Sequence, residues 1–356
     1  MTHRVYRVGW LVVPLTAFNV LSFRPRPAFS AFGRRRSSVT TPSTPAKRSL
    51  SGRYKEKLRP LDGEAVTKFV DTHCHLDMVI PRLSRQSHED ARKAKARGDL
   101  PPRILNASYE EWRASLVGPE KGLEACVNIG CGKAALDVAA SFLQYDGIYG
   151  AFGIHPLRAD EWDSEVEQKL VRMMSMDKVV AWGECGLDYF DKMTRGQVKD
   201  ERTRGLQREV FARQINLAVS LNKPLVVHTR FAEEDTLELL EKHLPDSHPV
   251  HVHCFTSSNT LAQSLLQRFS SLRLGFTGVV TFANAPEVRD VVQQVPLDRI
   301  LLETDSPYMA PEPFRGRIAH PGHVSYVADA IAQVKGVSRS QVLETCRRNT
   351  RQMYGI

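Results

Sequence analysis

From about residue 68 onward, short apolar runs alternate with stretches whose apolar residues recur at three- and four-residue steps. The runs are KFVDTHCH (68–75), ACVNIGC (125–131), IYGAFGIH (148–155), VVAWGEC (179–185), PLVVHT (224–229), PVHVHCF (249–255), LRLGFTG (272–278) and ILLETDS (300–306). Runs this short, interleaved with helical patterns, predict parallel strands buried on both faces, and eight of them predict an α/β chain folded as one (β/α)8 (TIM) barrel over residues 66–356. The helical stretches are legible too. In 207–222, Val210, Phe211, Gln214, Ile215, Ala218 and Leu221 form a single stripe. In 323–335, Val324, Val327, Ala328, Ile331 and Val334 do the same, with Gly336 placed to end the helix and Ser338 with Gln341 to cap the next.

In six runs an ionisable residue appears where the apolar stretch stops, which is the carboxyl end where barrel active sites gather: His73 and His75 in the first, then His155, Glu184, His228, His253 and Asp305, of which all but His155 read as metal ligands. Histidines filling a core would have no reason to respect strand ends. His73 and His75 are two apart, so on a strand both point to the same face, although H-x-H alone reads as readily as structure. Glu184 stands between Gly183 and Gly186, which permit close approach, and its two oxygens could bridge two cations or pair with an arginine. His228 and His253 end neighbouring strands, and Asp305 ends the run that must close against the first. Imidazoles mixed with carboxylates suit Zn2+, Mn2+ or Mg2+ without distinguishing among them, and two such divalent cations could clamp a phosphodiester for hydrolysis.

Charge alters the picture less than its total implies. The chain is formally +9, but eleven of its 49 Lys and Arg lie in the first 55 residues, where there is no Asp or Glu, leaving 38 against 40 acidic residues in the remainder. Bulk charge therefore gives no argument for nucleic acid, and any such contact must come from a local patch. Six cysteines without a C-x-x-C pair, mostly inside or beside apolar runs, are expected to be reduced thiols. Residues 1–65 are expected to be a disordered targeting leader. Arg4 and Arg7 precede the apolar GWLVVPLTAFNVLSF (9–23), which is short for a membrane span, and a Ser/Thr/Arg/Pro-rich stretch without acid follows. The two parts resemble the bipartite leaders of secondary plastids, with AFSAF (28–32) as the junction and cleavage after Ala31. A mitochondrial leader is the other reading, and in either case the mature chain is expected to have no membrane segment.

Taken in order, DTHCHLD at 71, GIHP at 153, GECGLDY at 183, VVHTR at 226, HCFTS at 253, GFTGVVTF at 275, ETDSPYMAP at 303 and ETCRRNTRQMYGI at the end resemble the TatD family of metal-dependent deoxyribonucleases over nearly all of 68–356. The resemblance implies two cations, one held by His73, His75, Glu184 and Asp305 and the other by Glu184, His228 and His253. Asp305 would also orient or deprotonate water, making it and Glu184 the catalytic pair. His155 would lie near the scissile phosphate, Arg230 would contact phosphate, and Arg315 and His320, with Arg317 and His323 in PFRGRIAHPGHVSYV, could gather phosphates beside Asp305. The implied activity is 3′-to-5′ hydrolysis of DNA ends, single strands preferred, by a monomer; an amide or ester hydrolase of the same superfamily is the alternative, weakened by the absence of a bridging Lys at the Glu184 position. Three departures stand out. The polar stretch between Asp77 and Glu120 is long and reads as a solvated loop, Phe231 follows HTR, and His251 takes a usually apolar position from which it could support His253.

Overall fold

All eight apolar runs form parallel strands: β1 (Phe69–Cys74), β2 (Leu123–Gly130), β3 (Ile148–Phe152), β4 (Val179–Asp188), β5 (Leu225–Arg230), β6 (Val250–Val252), β7 (Leu272–Phe276) and β8 (Ile300–Leu302). They pair in chain order in one sheet. The computed structural model describes residues 67–356 apart from 98, 101–104, 192–195 and 198–199, so the expected leader lies outside the described residues.

The sheet closes on itself at a short seam. Asp305 N–H donates to the His73 carbonyl and His75 N–H to that of Ser306, both at 2.9 Å, bridging Cys74 to Ser306. A buried side chain reinforces the seam: Asp71 Oδ1 accepts the backbone N–H of Thr304 (3.0 Å) and of His73 (3.1 Å), while Thr304 Oγ1 donates to Asp71 Oδ2 at 2.6 Å. The catalytic-looking ends of the first and last strands are thereby held in register.

Apolar side chains fall into two layers because strands buried on both faces have no solvent side. Trp182, Phe152, Phe211 and Phe276 belong to the core that packs the sheet against the helices. Val127, Ile129, Ala151, Ala181, Val226 and Leu301 form a smaller cluster with Met353 and Tyr354 from the last helix, Arg339–Tyr354. That helix is capped as the sequence predicts, the Ser338 side chain accepting the N–H of Gln341, and the helix before it, Val324–Lys335, ends at Gly336 with φ 68°. The stripe expected over 207–222 lies on a longer helix, Glu201–Ser220, except for Leu221, which follows the helix end and is exposed; Gln207 and Gln214 of that helix are buried as hydrogen-bonding clamps. Gln214 Nε2 donates to the Ile154 carbonyl, and its Oε1 accepts both Ile154 N–H and Trp182 Nε1–H.

The polar stretch after Asp77 is not the loop expected. Leu76–Arg97 is a helix, and a second, Tyr109–Ser115, follows with Ser108 as its cap. The apolar positions Leu76, Val79, Ile80, Ala91 and Ala94 recur at near-helical steps and are buried. They are spaced by so many charges that composition hid the period.

Candidate metal centre

Close packing of β4 against β5 brings the strand-end residues together. A Cβ on Gly183 (φ 138°) or Gly186 (φ 143°) would collide with the carbonyl oxygens of Val226 and His228, so both must be glycine for the strands to approach this closely. Glu184 stands between them, buried, and its two oxygens face different partners. Oε2 is 3.4 Å from His73 Nε2, whereas Oε1 is 3.0 Å from His228 Nδ1, 2.9 Å from His253 Nε2 and 3.4 Å from His155 Nε2. Asp305 turns Oδ1 to His75 Nε2 at 3.4 Å and to His73 Nε2 at 3.7 Å. All six strand-end residues thus converge, and one carboxylate lies between two groups of donors: His73, His75 and Asp305 on one side, His228, His253 and His155 on the other.

The donor set fits cations. Both ring nitrogens of His73 and Nδ1 of His253 are buried without a hydrogen-bond partner, a costly state that an ion would relieve. His73 and His253 stack at 3.9 Å between centroids, a crowding of imidazoles that a shared positive partner makes intelligible. Donor atoms of His73, His75 and Asp305 all lie within 4.8 Å of one another, as do those of His73, Glu184 and His253 and those of His155, Glu184 and His228.

Acid–base character follows from burial opposed by pairing. Burial pushes His75 and His228 down, yet the hydrogen bond and charge of Asp305 raise His75 to about 9, and Asp188 and Glu184 raise His228 to about 10. Burial, aided by the charge of His253, holds His73 at about 3. Burial raises Glu184, but His253, His155 and His228 overcome it and hold the carboxyl well below the usual range. In Asp305, too, burial is overcome, here by His75, His73 and His253.

His155 differs from the others. Its Nδ1 accepts the N–H of Leu157 at 3.0 Å, and burial holds it down at about 4, so the neutral ring carries its proton on Nε2, the atom facing Glu184. In this metal-free state its Nε2–H is placed to donate a hydrogen bond. Arg230 ends β5 with its guanidinium 3.8 Å above the Phe190 ring, and Arg315 bonds Asn284 Oδ1 at 3.2 Å while stacking on Phe282; both occupy loops or ends on the same barrel face. His320 is not gathered beside Asp305. It joins Glu120 and His323 in a separate cluster, because the turn carrying it folds against the segment before β2.

Four residues that support the site, Asp188, Gln207, Glu303 and Tyr354, do not stand out in the sequence. Asp188 Oδ2 lies 3.1 Å from His228 Nε2, fixing the ring so that Nδ1 faces Glu184; Gln207 clamps it, its Oε1 accepting Asp188 N–H and its Nε2 donating to the Asp188 carbonyl. The available signal was spacing, since Asp188 is four residues beyond Glu184 on one strand and so shares its face. Glu303 and Tyr354 complete a buried chain through His251, the position expected to support His253. His251 Nε2 is 2.8 Å from Glu303 Oε2, its Nδ1 is 2.6 Å from Tyr354 Oη, and Glu303 Oε1 accepts Cys254 N–H, fixing the backbone next to His253.

Known proteins similar to this chain are numerous. Residues 70–355 match the family profile described as TatD related DNase. A human protein named 3'-5' RNA nuclease TATDN2 is 36% identical over 294 residues, 81% of this chain, and the match spans 35% of that longer protein. An uncharacterised metal-dependent hydrolase of Escherichia coli (strain K12), YcfH, is 39% identical over 293 residues, 81% of this chain and 96% of its own. Among solved structures, the TatD homologue YJJV of Escherichia coli superposes with a TM-score of 0.65 at 23% identity, covering 82% of this chain and 100% of that one. A TatD-family hydrolase of Entamoeba histolytica gives 0.60 at 20%, covering 82% and 99%. Among the described residues no helix is long and apolar enough to cross a membrane.

Proposed function

The chain belongs to the TatD family of metal-dependent hydrolases, and from that membership we propose that it removes nucleotides from the 3′ ends of single-stranded nucleic acid, with DNA as the expected substrate. The observation that carries this reading is the division of Glu184, one oxygen toward His73 and the other toward His228 and His253. That division supports two divalent cations, one held by His73, His75, Glu184 and Asp305 and the other by Glu184, His228 and His253. Bound there, the cations would supply Lewis acidity to the phosphoryl oxygens and to water.

The protein's own groups do the rest. With Oδ1 turned to the two imidazoles, Asp305 has Oδ2 to take the proton of an attacking water. Asp188 accepts the His228 Nε2 proton and so presents Nδ1 to the centre. Neutral His155, its proton on Nε2, donates to a phosphoryl oxygen without adding charge. Arg230 offers a fork of donors to a neighbouring phosphate, and Arg315 does so on the rim after β8. A barrel mouth of this kind accepts a strand end more readily than the interior of a duplex.

RNA is the second reading, favoured by the name of the human relative, most of whose length this chain does not match. One experiment addresses both. The full chain with Mg2+, Mn2+ or Zn2+ should shorten 5′-labelled single-stranded DNA into a descending ladder, and parallel RNA oligonucleotides report the preference. Intact oligonucleotides alongside cleavage of a carboxylic ester or amide would overturn the nuclease reading in favour of the amidohydrolase alternative.

A further inference from the structure

We propose that Glu120, His320 and His323 form a zinc site separate from the hydrolytic centre, tying the segment ahead of β2 to the turn that opens the helix Val324–Lys335. One donor atom from each of the three lies within 4.8 Å of the other two. The turn His320-Pro321-Gly322-His323 brings the two imidazoles to 3.8 Å between centroids. It is seated on Glu120: a Cβ at Gly322 would lie 3.0 Å from both Glu120 Cβ and His320 Cε1, closer than side chains ordinarily sit.

An unmet demand for a ligand is the second observation. Nδ1 of His320 and Nδ1 of His323 are both buried without a hydrogen-bond partner, and His323 is only 3% exposed. A buried polar atom left unsatisfied costs about 1–3 kcal/mol, and two on adjoining rings need a common partner. The remaining walls do not supply one. Trp112 meets His320 edge-on at 5.9 Å, Phe314 stacks on His323 at 4.7 Å, and Tyr326 stands edge-on to the same ring.

The protonation states suit a cation. Burial alone lowers His320 to about 4 and, with the neighbouring His320 charge, His323 to about 2, so both rings are neutral and their lone pairs free. Burial raises Glu120 to about 7, so near neutrality its carboxyl is partly protonated and an incoming ion would displace the remaining proton. Two imidazoles and one carboxylate are a borderline set that suits zinc, with water completing a tetrahedron. The place is also distinct: Glu120 stands three residues before β2 begins, at that strand's amino end, while the hydrolytic residues stand at carboxyl ends.

The test is zinc content. The full chain is equilibrated with zinc, freed of excess by gel filtration and analysed by mass spectrometry of the metal. Wild-type chain should retain one more zinc ion than His323→Ala, and Glu184→Ala should keep the ion that His323→Ala loses. Glu120→Gln, which preserves shape, should weaken that ion's affinity at least about tenfold, so the result does not depend on His323→Ala folding. With cobalt in place of zinc, the visible absorption component missing from His323→Ala should persist in Glu184→Ala. Equal zinc content in wild type, His323→Ala and Glu120→Gln would overturn the site, as would complete loss of zinc from Glu184→Ala.

Discussion

Two groups of histidines in this molecule are crowded and largely buried but differ in their supply of carboxylate. At the barrel mouth, His73, His75, His155, His228 and His253 each lie within 3.4 Å of an oxygen of Glu184 or Asp305. In the outer cluster, His320 and His323 face aromatic walls and share a single, more distant Glu120. Burial drives every one of these imidazoles toward neutrality, and the carboxylates reverse it for some, raising His75 to about 9 and His228 to about 10 while His320 falls to about 4. The mouth thus stores protons that an incoming cation must displace, whereas the outer cluster presents its lone pairs already free.

The strongest way to break this comparison is Glu184→Ala. Removing the carboxylate that both donor groups share should lower turnover about a thousandfold or more, and a kcat within tenfold of wild type would refute the bridging role. Asp188→Asn should be milder. With His228 no longer anchored, cation affinity at the mouth should fall about 10–100-fold while the outer cluster is unaffected, which isothermal titration with Mn2+ or Zn2+ can read. The pH dependence sharpens the contrast further. Because His75 and His228 are raised in the metal-free fold, they stay protonated through neutrality, so cation uptake must release protons and affinity should drop about tenfold for each unit that pH falls, per proton displaced. Titrations in buffers of different ionisation enthalpy count those protons; a value of zero at pH 7 would contradict the stored charge. The sign for metal-free stability is opposite. A raised pKa gives stabilisation that is fully present below about 6.5 and is lost as pH rises through about 9 to about 10. Smallest is Tyr354→Phe, which removes one partner of His251 and should lower stability by about 1 kcal/mol, or a few degrees of melting temperature, with turnover unchanged. A loss of turnover without a loss of stability would give the His251 chain a part in the chemistry.

Strand ends were the most legible feature of the sequence, because a polar residue that interrupts an apolar run has a strong physical reason to be there. His73, His75, His155, Glu184, His228, His253 and Asp305 all stand at such ends. Asp188 is hidden because the apolar run ends at Cys185, whereas β4 continues to Asp188 and places it on the face of Glu184. The family resemblance of its loop implies a place for His320 at the mouth, but the turn at Gly322 folds it onto Glu120, 200 residues earlier, a proximity no local pattern encodes. The helix Leu76–Arg97 was hidden for a different reason: its buried face is narrow and its charges many, so its period was weak.

The seam between β1 and β8 has a consequence for how the protein reaches its working state. Asp71 and Thr304, 233 residues apart, hold it shut, and His73, His75 and Asp305 belong to the same two ends. These three side chains cannot meet in a chain whose ring is still open, however complete its separate strands. Contacts this distant in sequence form late, after the loop-closure entropy has been overcome. A spectroscopically visible cation that needs all three would therefore act as a clock for ring closure, reporting during refolding when the first and last strands find each other.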